Sequence, residues 1–124
     1  MTNKKIVVID DEKALCLLIK NILEADKKIE VFIAYDGVAG RELCMEIGPD
    51  LIFLDFVMPE ERGDKVLEFL RNTPKTRNTP VVLISGLAEE KSLNEFSRGL
   101  TFNMPKPFTK QMLLEITERI IGKE

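Results

Sequence analysis

Apolar runs and helical periodicity alternate along the chain. Five short runs rich in apolar or β-branched residues predict strands, and the runs at 51–54 and 81–84 are uninterrupted, as in strands buried on both faces. The predicted strands cover residues 5–9, 29–34, 51–54, 81–84 and 100–104. After each of them the chain changes to a pattern that predicts a helix.

The helical stretches complete five strand–helix units. The first helix starts at Lys13, and its predicted buried face carries Leu15, Leu18, Ile19 and Ile22. The apolar positions of the next two helices are Val38, Leu43 and Ile47, then Val66, Leu67 and Leu70. Two more helices are predicted at 89–97 and 109–121. Without a repeat or a linker, this order predicts a single doubly wound α/β domain over residues 1–124, with helices on both faces of a parallel sheet.

Composition supports one globular domain and excludes several functions. The 124 residues are 44% hydrophobic and 31% charged, with a net charge of −3. No apolar run is long enough to cross a membrane, and the amino terminus lacks the pattern of a secretory signal. Basic residues are dispersed, unlike those of a nucleic-acid binder. We therefore expect a cytoplasmic protein that contacts neither a membrane nor nucleic acid directly.

Cysteine and histidine usage limits the possible catalytic chemistry further. Cys16 and Cys44 lie far apart, and the chain has no histidine. Two buried or half-buried free thiols are therefore expected rather than a disulfide or a metal site. Most zinc sites and every Ser–His or Cys–His pair are excluded. Carboxylate, hydroxyl and lysine groups remain for chemistry.

Residues with suitable chemistry stand where predicted strands end. Asp10 and Asp11 follow the first strand, Asp55 ends the third, Ser85 ends the fourth and Lys106 follows the fifth. The carboxyl ends of parallel strands share one edge of the sheet, so these residues should converge there. Taken alone, each residue has a simpler structural explanation. The acids could be helix caps or the acidic first turn of a helix, the serine could be an N-cap, and the lysine could be a surface residue.

Three carboxylates close together predict a bound cation. They would repel one another and partly protonate without one. Oxygen ligands favour Mg²⁺, Mn²⁺ or Ca²⁺ over zinc or copper. Because few protein ligands are present and several waters have room, we expect Mg²⁺.

The motifs at these strand ends carry a family resemblance. They are Asp10-Asp11, the stretch Asp55-Phe56-Val57-Met58-Pro59 with Gly63 after it, Ser85-Gly86, and Lys106-Pro107-Phe108. In this order the chain resembles the receiver domain of two-component response regulators, the CheY-like family, over essentially its whole length. The resemblance implies a flavodoxin-like (βα)5 fold with a five-stranded parallel sheet in the order 2-1-3-4-5.

The resemblance also implies a role for each motif. Asp55 would accept a phosphoryl group from a histidine kinase or a histidine phosphotransfer protein. The implied Mg²⁺ ligands are Asp11, Asp55 and the backbone carbonyl of Val57, with Asp10 acting through a water; the implied phosphoryl contacts are Ser85, Gly86 and Lys106. A cis Lys106–Pro107 bond is implied too. Such a domain catalyses only its own phosphorylation and dephosphorylation.

Two departures from the family pattern sharpen the expectations. Asn103 stands three residues before the lysine, where receivers usually carry an aromatic switch residue, and Phe102 is on the other side of the strand. We therefore expect signalling to run mainly through the helix at 89–97 and the loop before it. The positions two residues beyond Asp55 and Ser85 are Val57 and Leu87, which cannot orient a hydrolytic water, so we expect slow autodephosphorylation.

A partner surface and several alternatives remain open in the sequence. Leu17 lies opposite the predicted buried face of the first helix; it either anchors the helical bundle of a kinase or phosphotransfer protein or has no role. A haloacid-dehalogenase-type phosphatase would need an acid at Val57, and a flavin carrier would need hydroxyls in place of Asp10 and Asp11. A phosphate-independent binding module is the stronger alternative. The output, and whether the domain stands alone, are not encoded here.

Overall fold

The fold is a five-stranded parallel sheet between two layers of helices. The computed structural model describes residues 3–59, 61–86 and 100–122. Its strands are β1 Lys4–Ile9, β2 Ile29–Ala34, β3 Leu51–Asp55, β4 Val81–Ser85 and β5 Thr101–Pro105. Its helices are α1 Lys13–Leu23, α2 Gly37–Ile47, α3 Gly63–Arg71 and α4 Lys110–Ile121. The helix predicted at 89–97 lies outside the described residues.

The strands pair in the order β2-β1-β3-β4-β5, all parallel. This confirms the α/β class and the flavodoxin-like order. Every residue of β3 and β4 is buried, which explains why their sequences lack polar alternation. Alternate side chains point to opposite faces, so Ile52 packs with α2 and α3 while Phe53 packs with α1 and α4.

Helix α1 is rotated relative to the sequence prediction. Its buried residues are Cys16, Ile19 and Leu23, whereas Leu18 is 50% exposed, as is Leu17. The prediction that Leu18 belongs to the buried face is wrong. The small Cys16 faces the sheet instead, and its thiol donates a hydrogen bond to the Asp10 carbonyl at 3.2 Å. The exposed side of α1 therefore presents two neighbouring leucines.

Helix α2 approaches the sheet through small residues. Gly40 and Cys44 are buried, while Val38 is 54% exposed, so the prediction that Val38 faces the core is wrong. A Cβ atom on Gly40 would lie 2.6 Å from the Ile9 side chain. The helix backbone can come this close to β1 only because position 40 carries no side chain.

Both cysteines are buried free thiols, as the sequence predicts. Burial raises the pKa of each to about 12. The thiols are therefore protonated and unreactive at neutral pH. Among the described helices, none combines the length and apolar character that crossing a membrane requires.

Candidate functional site

One edge of the sheet collects the polar residues predicted from the strand ends. The parallel registers place Asp55 beside Ile84 and Ser85 beside Pro105, so consecutive strands end at a common level. A cavity of about 490 Å³ opens there. Its lining residues are Asp11, Glu12, Asp55, Val57, Ser85, Gly86 and Lys106. Residues up to 95 positions apart in the chain thus share one site.

Three carboxylates form the centre of this edge. One oxygen from each of Asp10, Asp11 and Asp55 lies within 4.8 Å of the others. Asp10 is fully buried and Asp55 is 4% exposed, whereas Asp11 faces solvent. Two unit charges at this upper limit of 4.8 Å repel by about 3.5 kcal/mol for an effective dielectric constant near 20, and closer charges repel more strongly. The arrangement is costly unless a cation or protons reduce the charge.

Burial dominates the ionisation of the two inner carboxyls. It raises the pKa of Asp55 to about 7, with the Asp10 charge adding to the effect; the Lys106 ammonium opposes it. Burial also raises the pKa of Asp10. The Glu12 N–H, which donates to Asp10 Oδ1 at 2.9 Å, partly lowers it again. Without a bound cation, burial therefore disfavours the charged form of both inner carboxyls.

Lys106 supplies the positive charge of the site. Its Nζ lies 3.8 Å from Asp10 Oδ2 and 3.7 Å from Asp55 Oδ2, distances that indicate ion pairs rather than tight hydrogen bonds. The Lys106 N–H donates to the Ser85 carbonyl at 2.8 Å, which fixes the start of this segment against β4. The Lys106–Pro107 bond is cis, as the resemblance implied.

Two buried polar atoms at the site accept or donate no hydrogen bond within the described protein. Within the described ranges, Asp10 Oδ2 and the Ser85 hydroxyl oxygen have no hydrogen-bond partner. Ser85 is only 2% exposed. A buried polar atom left unpaired costs about 1–3 kcal/mol, so such atoms usually mark a ligand position. The oxygen-only acidic set fits a hard divalent cation such as Mg²⁺, and the serine hydroxyl fits an anionic oxygen.

The loop after β3 is held close to the phosphoacceptor candidate. The Val57 N–H donates to Asp55 Oδ1 at 3.2 Å, and the Gly63 N–H donates to the Phe56 carbonyl at 2.7 Å. A Cβ atom on Gly63 would lie 2.5 Å from the Asp55 carbonyl oxygen. Glycine is therefore required where α3 begins. The Val57 side chain is 50% exposed at the cavity mouth.

Other predicted residues lie around this centre. Asn103 is exposed, and Phe102 packs partly buried against the core on the α1 and α4 side of the sheet. Leu87 and the predicted switch segment at 89–97 lie outside the described residues. Sequence reasoning missed Glu12, which lines the cavity directly after the acidic pair; its adjacency to that pair was the available signal.

Comparison with known proteins places this geometry in a family. The family model described as the response regulator receiver domain matches residues 6–118. The chain belongs to this family. It is thus a phosphoacceptor signalling domain of two-component systems.

Individual relatives support the assignment. The chain is 32% identical over 111 residues to the DNA-binding dual master transcriptional regulator RpaA of Synechocystis sp., covering 89% of this receiver and 46% of RpaA. It is 35% identical over 123 residues to a protein-glutamate methylesterase/protein-glutamine glutaminase of Methanosarcina acetivorans, covering 94% of this receiver and 34% of that protein. The Francisella response regulator 1452 receiver domain has a TM-score of 0.83 with 28% identity, covering 95% of this chain and 96% of that one.

The receiver spans less than half of these two longer relatives. Some relatives thus join such a domain to an enzyme, whereas this chain matches the receiver part alone. Receiver domains interact with histidine kinases and phosphotransfer proteins.

Proposed function

We propose that Asp55 is the phosphoacceptor of this receiver. The observation that carries the proposal is the position of its carboxylate, buried at the end of the middle strand with Lys106 Nζ 3.7 Å away. The unpaired Ser85 hydroxyl lines the same cavity. A nucleophile, a cation and a hydrogen-bond donor thus surround one space large enough for a phosphoryl group.

The reaction needs little from the protein beyond these groups. An ionised Asp55 oxygen attacks the phosphorus of a phosphohistidine, the P–N bond breaks, and the imidazole leaves with its bonding electrons and takes a proton. No general base is needed, because the carboxylate is already deprotonated when it attacks. Lys106 pairs with the phosphoryl oxygens, while the Ser85 hydroxyl and the Gly86 N–H donate to them. These contacts stabilise charge on the transferred group.

Mg²⁺ is the cofactor that the carboxylate cluster fits. Asp11, Asp55 and the carbonyl of Val57 would hold it directly, and Asp10 would act through a water. When bound, it offsets the negative charge of the carboxylates and of the phosphoryl oxygens. It also favours ionised Asp55, whose pKa of about 7 otherwise leaves part of the protein protonated.

The partner surface is the exposed side of α1 next to the site. Leu17 and Leu18 are each 50% exposed, and a groove of about 340 Å³ runs from Leu18 to Phe108. This groove reaches Lys106, so a helix of a kinase or phosphotransfer bundle lying in it would bring its histidine to the cavity. Leu17→Asp should slow transfer from the partner, whereas Val38→Asp on exposed α2 should not. Unchanged transfer in Leu17→Asp removes Leu17 from this surface.

We further propose slow autodephosphorylation. The Val57 side chain stands half exposed at the cavity mouth and offers no hydrogen bond to an attacking water. The phosphoryl lifetime is measured after acetyl phosphate is removed. A lifetime of seconds contradicts the proposal.

The signalling route through residues 89–97 remains a proposal that rests on Asn103 in place of an aromatic residue. Comparing amide chemical shifts with and without beryllofluoride and Mg²⁺ tests it. Shifts confined to other segments would refute this route.

The deciding experiment for the phosphoacceptor is labelling with acetyl phosphate and Mg²⁺, followed by intact-mass measurement. The wild-type protein should gain one phosphoryl group, Asp55→Asn none, and the control Glu42→Gln, on an exposed position of α2, one. Labelling of Asp55→Asn refutes Asp55 as acceptor. A wild-type protein that neither gains a phosphoryl group nor responds to beryllofluoride favours the phosphate-independent binding module.

A further inference from the structure

We propose that Arg41 and Glu61 form a clamp that fixes the loop after β3 and so positions the Val57 carbonyl for Mg²⁺. This inference rests on the proposed Mg²⁺ site and deepens it. Both residues are positioning residues, because neither lines the 490 Å³ cavity in which the reaction would occur.

The clamp joins α2 to the loop by a short, partly buried ion pair. Arg41 Nη1 donates to Glu61 Oε2 at 2.9 Å, and the two side chains are 26% and 25% exposed. The Arg41 guanidinium also lies over the Phe69 ring of α3, 5.3 Å from its centroid. One side chain of α2 therefore contacts both the loop and the helix that follows it.

The second oxygen of Glu61 fits against the start of α2. Glu61 Oε1 is buried and has no hydrogen-bond partner within the described residues, and a Cβ atom on Gly37 would overlap it. Gly37 is the first residue of α2, so the carboxylate lies at the positive end of the helix dipole. The missing side chain at position 37 and the cation at position 41 together create the place that Glu61 occupies.

The clamp lies close to the proposed metal ligands. Glu61 is four residues after Val57 in a loop whose ends are joined by the hydrogen bond from Gly63 to Phe56. A cavity of about 190 Å³ is lined by Glu61, Met58 and Pro59 together with Asp11. Release of Glu61 would therefore free the segment that directly follows Val57, beside a proposed metal-binding carboxylate.

A purely electrostatic role predicts the opposite result for Arg41. Removing the positive charge of Arg41 without moving the loop would leave Mg²⁺ binding unchanged or tighten it, because less positive charge would repel the cation. Loss of the clamp would instead weaken Mg²⁺ binding, because the Val57 carbonyl would no longer be held in place. The sign of the change in Kd separates the two roles.

Calorimetric titration of the full chain with MgCl2 at constant ionic strength provides the test. We expect the Kd of Arg41→Met to rise roughly twofold to fivefold, because such an ion pair contributes up to about 1 kcal/mol. Arg77→Met removes the same charge from an exposed position after α3 and should leave the Kd nearly unchanged or slightly lower. Arg41→Lys should restore part of the affinity, since lysine keeps the charge but not the guanidinium geometry.

Glu61→Asp supplies an independent test that keeps every charge. Its shorter side chain cannot reach Arg41, so the clamp predicts a higher Kd for Mg²⁺. Electrostatics alone predicts no change in Kd, because the charge is kept. Amide exchange of Gly63 in metal-free protein should also accelerate in both variants. An unchanged or lower Kd in Arg41→Met, or an unchanged Kd in Glu61→Asp, overturns the clamp while wild-type protein still binds Mg²⁺. A wild-type protein that does not bind Mg²⁺ overturns the metal site itself and the clamp with it.

Discussion

Replacing Asp55 by Asn should stabilise the metal-free fold above about pH 7, while abolishing phosphorylation. Burial raises the pKa of Asp55 from 3.8 to about 7, so the folded state resists ionising this group. Asparagine removes the charge but keeps a side-chain oxygen that can accept the Val57 N–H. The substitution therefore relieves an electrostatic cost without opening a cavity.

The size of the effect follows from the shift in pKa. A difference of about three pKa units between the folded and unfolded states corresponds to about 4 kcal/mol. Burial is the largest cause of this shift; the Asp10 charge adds to it and the Lys106 ammonium opposes it. We expect a gain of about 2–4 kcal/mol.

The raised pKa of Asp55 also determines how the free energy of unfolding depends on pH. Below pH 3.8 Asp55 is protonated in both folded and unfolded protein, so the charge imposes no penalty there. As the pH rises, the unfolded state ionises first and wild-type stability falls until the pH passes the folded pKa of about 7. The advantage of Asp55→Asn should therefore be small in acid, grow across this interval and level off above it.

Urea unfolding followed by far-ultraviolet circular dichroism, with EDTA present, measures this difference. Glu42→Gln is the control, because it removes one carboxylate from an exposed position of α2. Adding millimolar Mg²⁺ should stabilise wild-type protein more than Asp55→Asn. The reasoning fails if Asp55→Asn is no more stable than wild-type protein above pH 7, or if its advantage is equally large below pH 3.8.

Three further substitutions test separate contacts. Gly63→Ala should lose about 1–3 kcal/mol in urea unfolding, because its Cβ would lie 2.5 Å from the Asp55 carbonyl oxygen; wild-type stability would contradict the close approach. A hydrogen bond from the Val31 N–H is the main cause that lowers the pKa of Glu24. Ionised Glu24 therefore stabilises the fold above its unfolded pKa near 4.5, and this contribution is lost as the pH falls through the folded pKa. Glu24→Gln should therefore flatten the acid limb of a stability–pH profile; an unchanged limb would exclude this contact as a cause. Lys106→Met should slow labelling by acetyl phosphate roughly 10–100-fold, measured by intact mass, while a rate equal to wild-type would remove Lys106 from the reaction.

The sheet and the site composition were accessible from sequence for one physical reason. A central parallel strand is buried on both faces, so its sequence is a short apolar run, and the residue that ends the run is conspicuous. Asp55 and Ser85 stand out in this way. Since the carboxyl ends of parallel strands lie at one edge of the sheet, the proximity of Asp55 and Ser85 follows from the strand assignments without any distance information.

Helix orientation was less accessible, because small residues give little hydrophobic signal. Leu18 and Val38 were assigned to buried faces by size and spacing, yet both are at least half exposed. The actual contacts are made by Cys16 and by Gly40, where a small side chain allows close approach to the sheet. The Arg41–Glu61 pair was hidden for a different reason: it joins residues 20 positions apart across two elements, and neither residue stands out in a sequence pattern.

The unfavourable electrostatics of the site connect stability to ligand binding. A penalty of up to about 4 kcal/mol at Asp55 is a large share of the 5–15 kcal/mol that stabilises a typical domain. A ligand at a hundred times its Kd adds about 2.7 kcal/mol, which is comparable to that penalty. Mg²⁺ or a phosphoryl group would therefore change the local balance most where the carboxylates, Ser85 and the loop after β3 meet. We expect the Gly63 amide, which donates to the Phe56 carbonyl, to exchange faster in metal-free protein than with Mg²⁺ bound, because the cation would add a second restraint on its loop beside the Arg41–Glu61 pair.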